Sequence, residues 1–187
     1  MRPAAVLPAL ALLLLGACTV TDARSDRDSP LAERWAREQR VELDLTSPPD
    51  REQAGIADGR RSLPLERRPP DHLDVRLDLP GGERLELSAV SMFLAADGPE
   101  GPPVALSVAT LQPPDEGVAA LQEVVERFGF DPARLDAFLQ DAAAAADGDV
   151  SRSLGRVELD YLRFEVDVRR LQADDALQLT YAFRWDA

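Results

Sequence analysis

The chain has very few of the side chains from which most catalytic and metal sites are built. Its 187 residues include one cysteine, Cys18, one histidine, His72, and no lysine, so all 21 basic residues are arginine. A single thiol cannot form an intramolecular disulfide, and one histidine without a second thiol cannot complete a zinc site. The fold must therefore be stabilised by its core alone, and we predict neither a metal nor a cofactor.

Motifs for catalysis are also missing. The sequence contains no Gly-x-Ser-x-Gly nucleophile motif and no glycine-rich phosphate loop before a helix. His72 stands at a predicted strand end between acidic residues, where we interpret it as a solvated side chain. Asp147 and Asp149 flank Gly148, but an EF-hand needs further oxygen ligands at fixed spacing, and a helix end explains the segment equally well. We therefore predict no catalytic residues.

One motif is specific. An apolar run over residues 4–15 follows Met1 and Arg2, and it ends in Leu15-Gly16-Ala17-Cys18. The run is shorter than the roughly 20 apolar residues that a helix needs to span a bilayer. The pattern resembles the lipobox of bacterial lipoprotein signal peptides, in which small residues precede a cysteine that is lipidated on sulfur.

The resemblance covers residues 1–18 only. It implies cleavage between Ala17 and Cys18, a diacylglyceryl group on the Cys18 sulfur and usually an acyl chain on its amine. Two or more chains give stable attachment to a membrane. The implied location is therefore the extracytoplasmic face of a bacterial cell membrane, with the lipid on Cys18 as the anchor. Two alternatives stay open: an ordinary secretory signal, and a short anchor helix.

Charge divides the rest of the chain near residue 70. Residues 19–70 carry 11 acidic residues and 10 arginines, whereas residues 71–187 carry 23 acidic residues and 10 arginines. Such an acidic domain is repelled by nucleic acid and by anionic headgroups, so we predict no nucleic-acid partner. We predict a cleaved signal peptide over 1–17, a lipidated and largely disordered tether over 18–70, and an acidic globular domain over 71–187.

Part of the tether has a local pattern. Ser29 is a typical helix N-cap, and Pro30 suits the first helical position. A short alternating stretch after this helix predicts an edge strand. We expect the segment over 30–45 to dock on the domain through four apolar side chains: Trp35, Val41, Leu43 and Leu45.

From residue 71 the pattern predicts elements in the order βββααββ. Alternation predicts strands over 72–79, 83–95, 104–111, 156–170 and 176–186, with a hairpin turn over 172–175. Two helices begin at Asp115 and Asp131 and end at Gly129 and Gly148. Helices clustered between hairpins favour an α+β fold with a roughly five-stranded antiparallel sheet and an αα-hairpin on one face.

Apolar residues fall on both faces of several strands. Met92 and Phe93 have opposite parity in the second strand, and the parity of the fourth strand changes at Tyr161-Leu162, where we expect a bulge. One helix pair can cover only one face. We expect the second face to be covered by the segment over 30–45, by a partner protein or by an acyl-chain ligand, and a dimer contact is a further alternative.

These observations favour a membrane-anchored lipoprotein with a non-catalytic binding or scaffolding domain in the cell envelope, whose partner is another envelope protein. Two alternatives stay open. One is a carrier of a lipid or other small apolar ligand between the sheet and its helices, for which an apolar cavity there would be evidence. The other is a hydrolase with paired carboxylates in a cleft. An exposed aromatic patch over a solid core would favour the protein partner.

Overall fold

The computed structural model describes residues 29–145 and 148–185, so Ala17, Cys18 and the predicted signal peptide lie outside the described residues. Three helices and eight strands form an α+β fold. In chain order they are α1 (Pro30–Glu38), β1 (Arg40–Asp44), β2 (Ser62–Glu66), β3 (Leu73–Asp78), β4 (Arg84–Ala96), β5 (Pro103–Gln112), α2 (Pro114–Phe128), α3 (Pro132–Ala144), β6 (Val150–Leu159), β7 (Leu162–Leu171) and β8 (Ala176–Trp185).

The strands form one mixed sheet in the order β1-β3-β4-β5-β8-β7-β6, and β2 pairs with β4 in line with β3. Of the described pairs, only β1 with β3 is parallel. The α+β class is confirmed. The expected five-stranded antiparallel sheet is too small, because three further strands belong to it and one of them pairs in parallel.

One face of the sheet, here called the inner face, is apolar across its whole width. Residues directly opposite on neighbouring strands share a face. Leu65, Met92, Val108, Tyr181 and Val166 form one such row across five strands, and all five are buried. α1 contacts β1, α2 contacts β5 and β8, and α3 contacts β6, and their buried side chains join the inner face in a single core.

Aromatic rings fill the core between α2 and the sheet. Phe164 stacks on Phe183 with ring centroids 4.6 Å apart, and the edges of Phe128 and Phe130 meet Phe164 at 5.1 and 5.3 Å. Each such pair contributes about 0.5–1.5 kcal/mol beyond its buried area. The centre of the domain is therefore solid.

Local signals start α1 as predicted. Ser29 Oγ accepts a hydrogen bond from the Ala32 amide at 3.1 Å and donates one to the Gly55 carbonyl at 2.6 Å. A cap of this kind contributes about 1 kcal/mol. Gly55 has φ 67°, and a Cβ there would lie 3.0 Å from the Trp35 ring, so glycine is required where this loop crosses α1.

Residue 70 is not a structural boundary. β1 and β2 lie before it, yet they pair with β3 and β4 and contribute to the same core. The helix and edge strand predicted within residues 30–45 are confirmed, whereas the prediction of disorder is wrong for residues 46–66, which include β2. β2 was not predicted from the sequence because it contains Pro64, and a proline argues against a central strand. The Ala96 amide donates to the Arg61 carbonyl, and the Arg67 amide donates to the Val90 carbonyl. The backbone groups of the odd-numbered residues therefore point toward β4, and those of Pro64 point toward the free edge, where no N–H donor is needed.

The predicted docking residues Trp35, Val41, Leu43 and Leu45 are all buried, but not on the second face. Val41 and Leu43 pair with inner-face residues of β3, so β1 extends the sheet in its own plane. The reason is that β1 gains backbone hydrogen bonds with the open edge of β3 at the same time as its apolar side chains become buried. The segment therefore enlarges the core and leaves the outer face uncovered.

The predicted strand over 156–170 is two strands. Asp160, with φ 59°, and Tyr161 form a turn, so Leu159 pairs with Leu162 and both face inward. The switch from odd-numbered to even-numbered inward-facing residues therefore results from a reversal of chain direction at this turn, and not from the expected bulge. A register shift does occur in β4, where the extra residue Val90 lets the flanking apolar residues share the inner face.

The sheet curls until its two ends meet. Tyr161, in the turn between β6 and β7, donates a hydrogen bond of 2.5 Å to the carbonyl of Leu45, at the end of β1. β1 and β6 are the two ends of the strand order. Burial raises the pKa of Tyr161 to about 12, and the charges of Asp44 and Asp160 add to the shift.

Replacing Trp35 with alanine tests whether α1 is part of the core. Trp35 is 2% exposed, so we expect Trp35→Ala to lower the free energy of unfolding by about 3–5 kcal/mol, measured by urea denaturation. Arg34→Ala, at the exposed neighbouring position, is the control and should change it by no more than about 0.5 kcal/mol. Equal midpoints for the two variants would contradict the assignment.

Candidate functional site

The outer face of the central strands carries small side chains around one large exposed ring. Phe93, in β4, is 46% exposed and is the one exposed large hydrophobic side chain among residues 29–145 and 148–185. The residues around it on the outer face of β4, β5 and β8 are Ser91, Ala95, Ala105, Ser107, Ala109, Thr180 and Ala182.

Strand alternation places Phe93 on this face. Met92 and Leu94 on either side of it point inward and are buried, so Phe93 must point outward. Its cross-strand neighbours are Pro64 on β2 and Ser107 on β5, which are too small to cover the ring. Full burial of a phenylalanine side chain stabilises a fold by about 1.5–3 kcal/mol, and the isolated domain lacks much of this stabilisation because the ring is exposed.

A depression of about 610 Å³ lies beside Phe93 and is open to solvent along one side. Ala95, Ala105 and Ala182 belong to its lining, and Arg163, Arg184 and Asp167 are its charged residues. A second groove, of about 410 Å³, continues from it over β6, β7 and β8 and shares Asp167 and Thr180. The second groove is polar, with Ser151, Ser153, Arg169 and Gln178 among its lining residues.

Two arginines stand directly opposite each other at the edge of the depression. Arg163 on β7 pairs with Arg184 on β8, and both belong to the outer face. Arg163 Nε lies 3.5 Å from Glu158 Oε1. Arg184 is exposed and has no hydrogen bond or ion pair with any other described residue. Like charges directly opposite on neighbouring strands destabilise a sheet, so this pair is unfavourable in the isolated chain.

A separate cavity, of about 310 Å³, lies on the inner face between α2 and the strands β4 and β5. Tyr181 lines it and is 1% exposed, and burial raises its pKa to about 12, with the charge of Glu123 adding to the shift. A side-chain hydrogen bond with Thr110 opposes the rise in the Tyr181 pKa but does not outweigh it, so the phenol is neutral at physiological pH. The side-chain carbonyl of Gln112, which also lines the cavity, is buried without a hydrogen-bond partner among the described residues.

The charged groups at the mouth of this cavity are paired with one another. Arg127 Nε lies 2.6 Å from Glu83 Oε2, and its Nη1 lies 3.7 Å from Glu123 Oε1. Glu86 lies 3.9 Å from Arg76 Nε. Each carboxylate therefore faces a guanidinium, as in ordinary surface ion pairs, and the arrangement does not bring two carboxylates together around a reacting atom.

The remaining sequence candidates have structural partners. His72 Nε2 lies 3.3 Å from Asp74 Oδ1 at an exposed position. Asp149 accepts hydrogen bonds from Arg169 at 2.6 Å and from the Gln172 amide, and the Arg169 bond is the main cause that lowers its pKa. Asp147 lies outside the described residues. In the described part of the chain, no three potential ligands are grouped as a metal site would require.

Comparisons of the chain with protein-family models, with curated proteins and with solved structures gave no significant match. None of the described helices combines the length and the apolar character needed to cross a membrane. The case for a function therefore depends on the geometry of the chain's own side chains.

Phe93, Arg163 and Arg184 were not among the sequence-predicted site residues. A signal for the arginine pair was present, because the predicted hairpin turn over 172–175 makes residues equally distant from it direct partners. Arg163 lies nine residues before that turn and Arg184 nine residues after it. The parity of Phe93 opposite to Met92 signalled its place on the second face, but its exposure had no sequence signal, because it depends on whether another segment covers that face.

A spectroscopic titration tests the environment of both tyrosines, which are the only two in the chain. Because both folded-state pKa values are raised to about 12, we expect no tyrosinate absorbance step near pH 10. The unfolded chain releases these protons first, so stability should be complete below pH 10 and fall between pH 10 and 12. Tyr161→Phe isolates Tyr181. Ionisation of either tyrosine near pH 10 with native circular dichroism would contradict the assignment.

Proposed function

We propose that the chain is an extracytoplasmic lipoprotein whose domain binds another protein of the cell envelope through its outer face, without catalysis. The exposure of Phe93 carries the proposal, because this ring stands on an uncovered sheet face beside a depression of about 610 Å³. Apolar surface rimmed by polar groups is typical of interaction sites. The small side chains around the ring let an incoming segment approach the strands closely.

A carrier of apolar ligands has less support from the same geometry. Stacked phenylalanines fill the space under α2, and the cavity that does lie there is small and has charged groups at its mouth. An acyl chain is usually bound in an enclosed, mostly apolar cavity. The depression beside Phe93 is open instead, which suits a protein surface better than a buried chain.

The proposed location depends on the lipobox. A lipid on Cys18 would hold the domain at the extracytoplasmic face of the membrane, and the net charge of −13 would oppose direct contact between the domain and anionic headgroups. The partner would then be a membrane protein or another anchored protein close to the same surface.

Site-specific crosslinking tests the proposed surface. A photoreactive amino acid at position 93 of the full chain should form one discrete adduct with an envelope protein in intact cells, whereas the same group at exposed position 119 in α2 should not. Phe93→Ser should abolish co-purification of that protein while lowering the free energy of unfolding by only about 1 kcal/mol, because the ring is half-exposed. Ala119→Ser is the matched control. The same adduct from both positions would refute the assignment of the surface.

Replacement of Cys18 tests the anchor. Cys18→Ala should abolish labelling with radioactive fatty acid and release the protein from the membrane fraction, because no other thiol is available for lipidation. Membrane retention without labelling would show instead that the apolar run over residues 4–15 is itself the anchor.

A further inference from the structure

We infer that the partner presents an extended segment that is acidic as well as apolar, with a carboxylate bound between Arg163 and Arg184 and an apolar side chain in the depression beside Phe93. The inference rests on the proposed function and adds the chemistry of the partner. Two observations carry it: the arginine pair and its distance from Phe93.

Ion pairs within the chain neutralise the arginine pair only in part. Glu158 lies within 3.5 Å of both Arg156 and Arg163, so one carboxylate serves two guanidinium groups. Arg184 has no partner among the described residues, and Asp167, the one carboxylate that lines the depression, forms no ion pair with either arginine. Glu165, the next outer-face residue of β7 after Arg163, lies opposite Arg156 and forms no ion pair with Arg163 or Arg184 either. Of the pair, only Arg163 therefore has an ion-pair partner, and it shares that partner with Arg156.

A carboxylate from outside would convert this unfavourable pair into a favourable one. Directly opposite residues have Cβ atoms about 4.5–5.5 Å apart, so a single carboxylate can accept hydrogen bonds from both arginines. Guanidinium groups bind carboxylates with two parallel hydrogen bonds, which are about twice as strong as neutral ones. The repulsion that the free domain sustains at Arg163 and Arg184 is thereby relieved on binding.

The distance between the two features sets the spacing in the partner. Phe93 is in register with Ala182 two strands away, and Arg184 lies two residues further along β8. At about 4.8 Å between strands and 3.3 Å per residue, the backbone positions of Phe93 and Arg184 are about 12 Å apart. An extended segment covers that distance with an acidic residue two to four positions from an apolar one.

Other occupants fit this surface less well. A second copy of the chain would bring the same two arginines and another net charge of −13 to the contact, which opposes self-association. A lipid with an anionic headgroup would leave much of its acyl chain in water, because the depression is open on one side. An acidic and apolar protein segment satisfies the arginines and the depression together.

Selection from a peptide library tests the inference without a known partner. The full chain in detergent is used to select displayed peptides of twelve residues, and the enriched peptides are then tested for binding to the double variant Arg163→Ser/Arg184→Ser. Enriched peptides should carry Asp or Glu two to four residues from Leu, Ile or Phe. A synthetic peptide of this class should lose at least about tenfold in affinity on Arg184→Ser and on Glu→Gln in the peptide, with little further loss when the two changes are combined. Arg34→Ser is the matched control and should bind normally.

The outcomes separate this inference from the proposed function. Enriched peptides that lack acids, or whose binding is unchanged by Arg184→Ser while Phe93→Ser abolishes it, would overturn the inference and support the proposed surface. Binding that Phe93→Ser does not weaken, or no enrichment above a mock selection, would count against both. Arg184-dependent binding to phosphatidylglycerol vesicles would overturn the inference in favour of a lipid, and dimerisation that Phe93→Ser abolishes would overturn it in favour of a second copy.

Discussion

Burial of one face of one curled sheet is the constraint on which the rest of the structure depends. With one cysteine in the chain, no internal disulfide supports the fold, so the apolar rows that cross the strands must supply its cohesion. The helices pack on this inner face around the stacked rings of Phe164 and Phe183. The outer face contributes little to stability and is therefore free to serve binding.

Two local irregularities keep the apolar residues on the inner face. An extra residue at Val90 in β4 and a turn at Asp160 and Tyr161 each change the parity of the chain at a point where the sequence pattern also changes. Without them, apolar side chains from β4 and from β6 would point into solvent. Tyr161 has a second role, since its hydroxyl connects the turn to the carbonyl of Leu45 and holds the sheet in its curled shape.

Sequence patterns predicted the elements whose signals are local. Ser29 and Asp131 cap their helices as expected, and the turn over 172–175 lies where it was predicted. β2 was missed because Pro64 interrupts its alternation, which an edge position tolerates, and the turn at Asp160 was missed because it contains no glycine. The candidate site was not predicted because exposure of Phe93 and isolation of Arg184 depend on what fails to pack against them, which no local pattern records.

The inclusion of residues from Ser29 onward in the fold would limit how far a lipidated domain could extend from a membrane. If Cys18 is lipidated, only ten residues lie between the acylated residue and Ser29, the N-cap of α1, and the eleven steps from residue 18 to residue 29 span at most about 40 Å in a fully extended chain. A linker of this length would restrict a lipidated domain to a thin layer above the membrane. A partner anchored at the same height would then meet it at high effective concentration, so that even a weak contact with the outer face would be occupied.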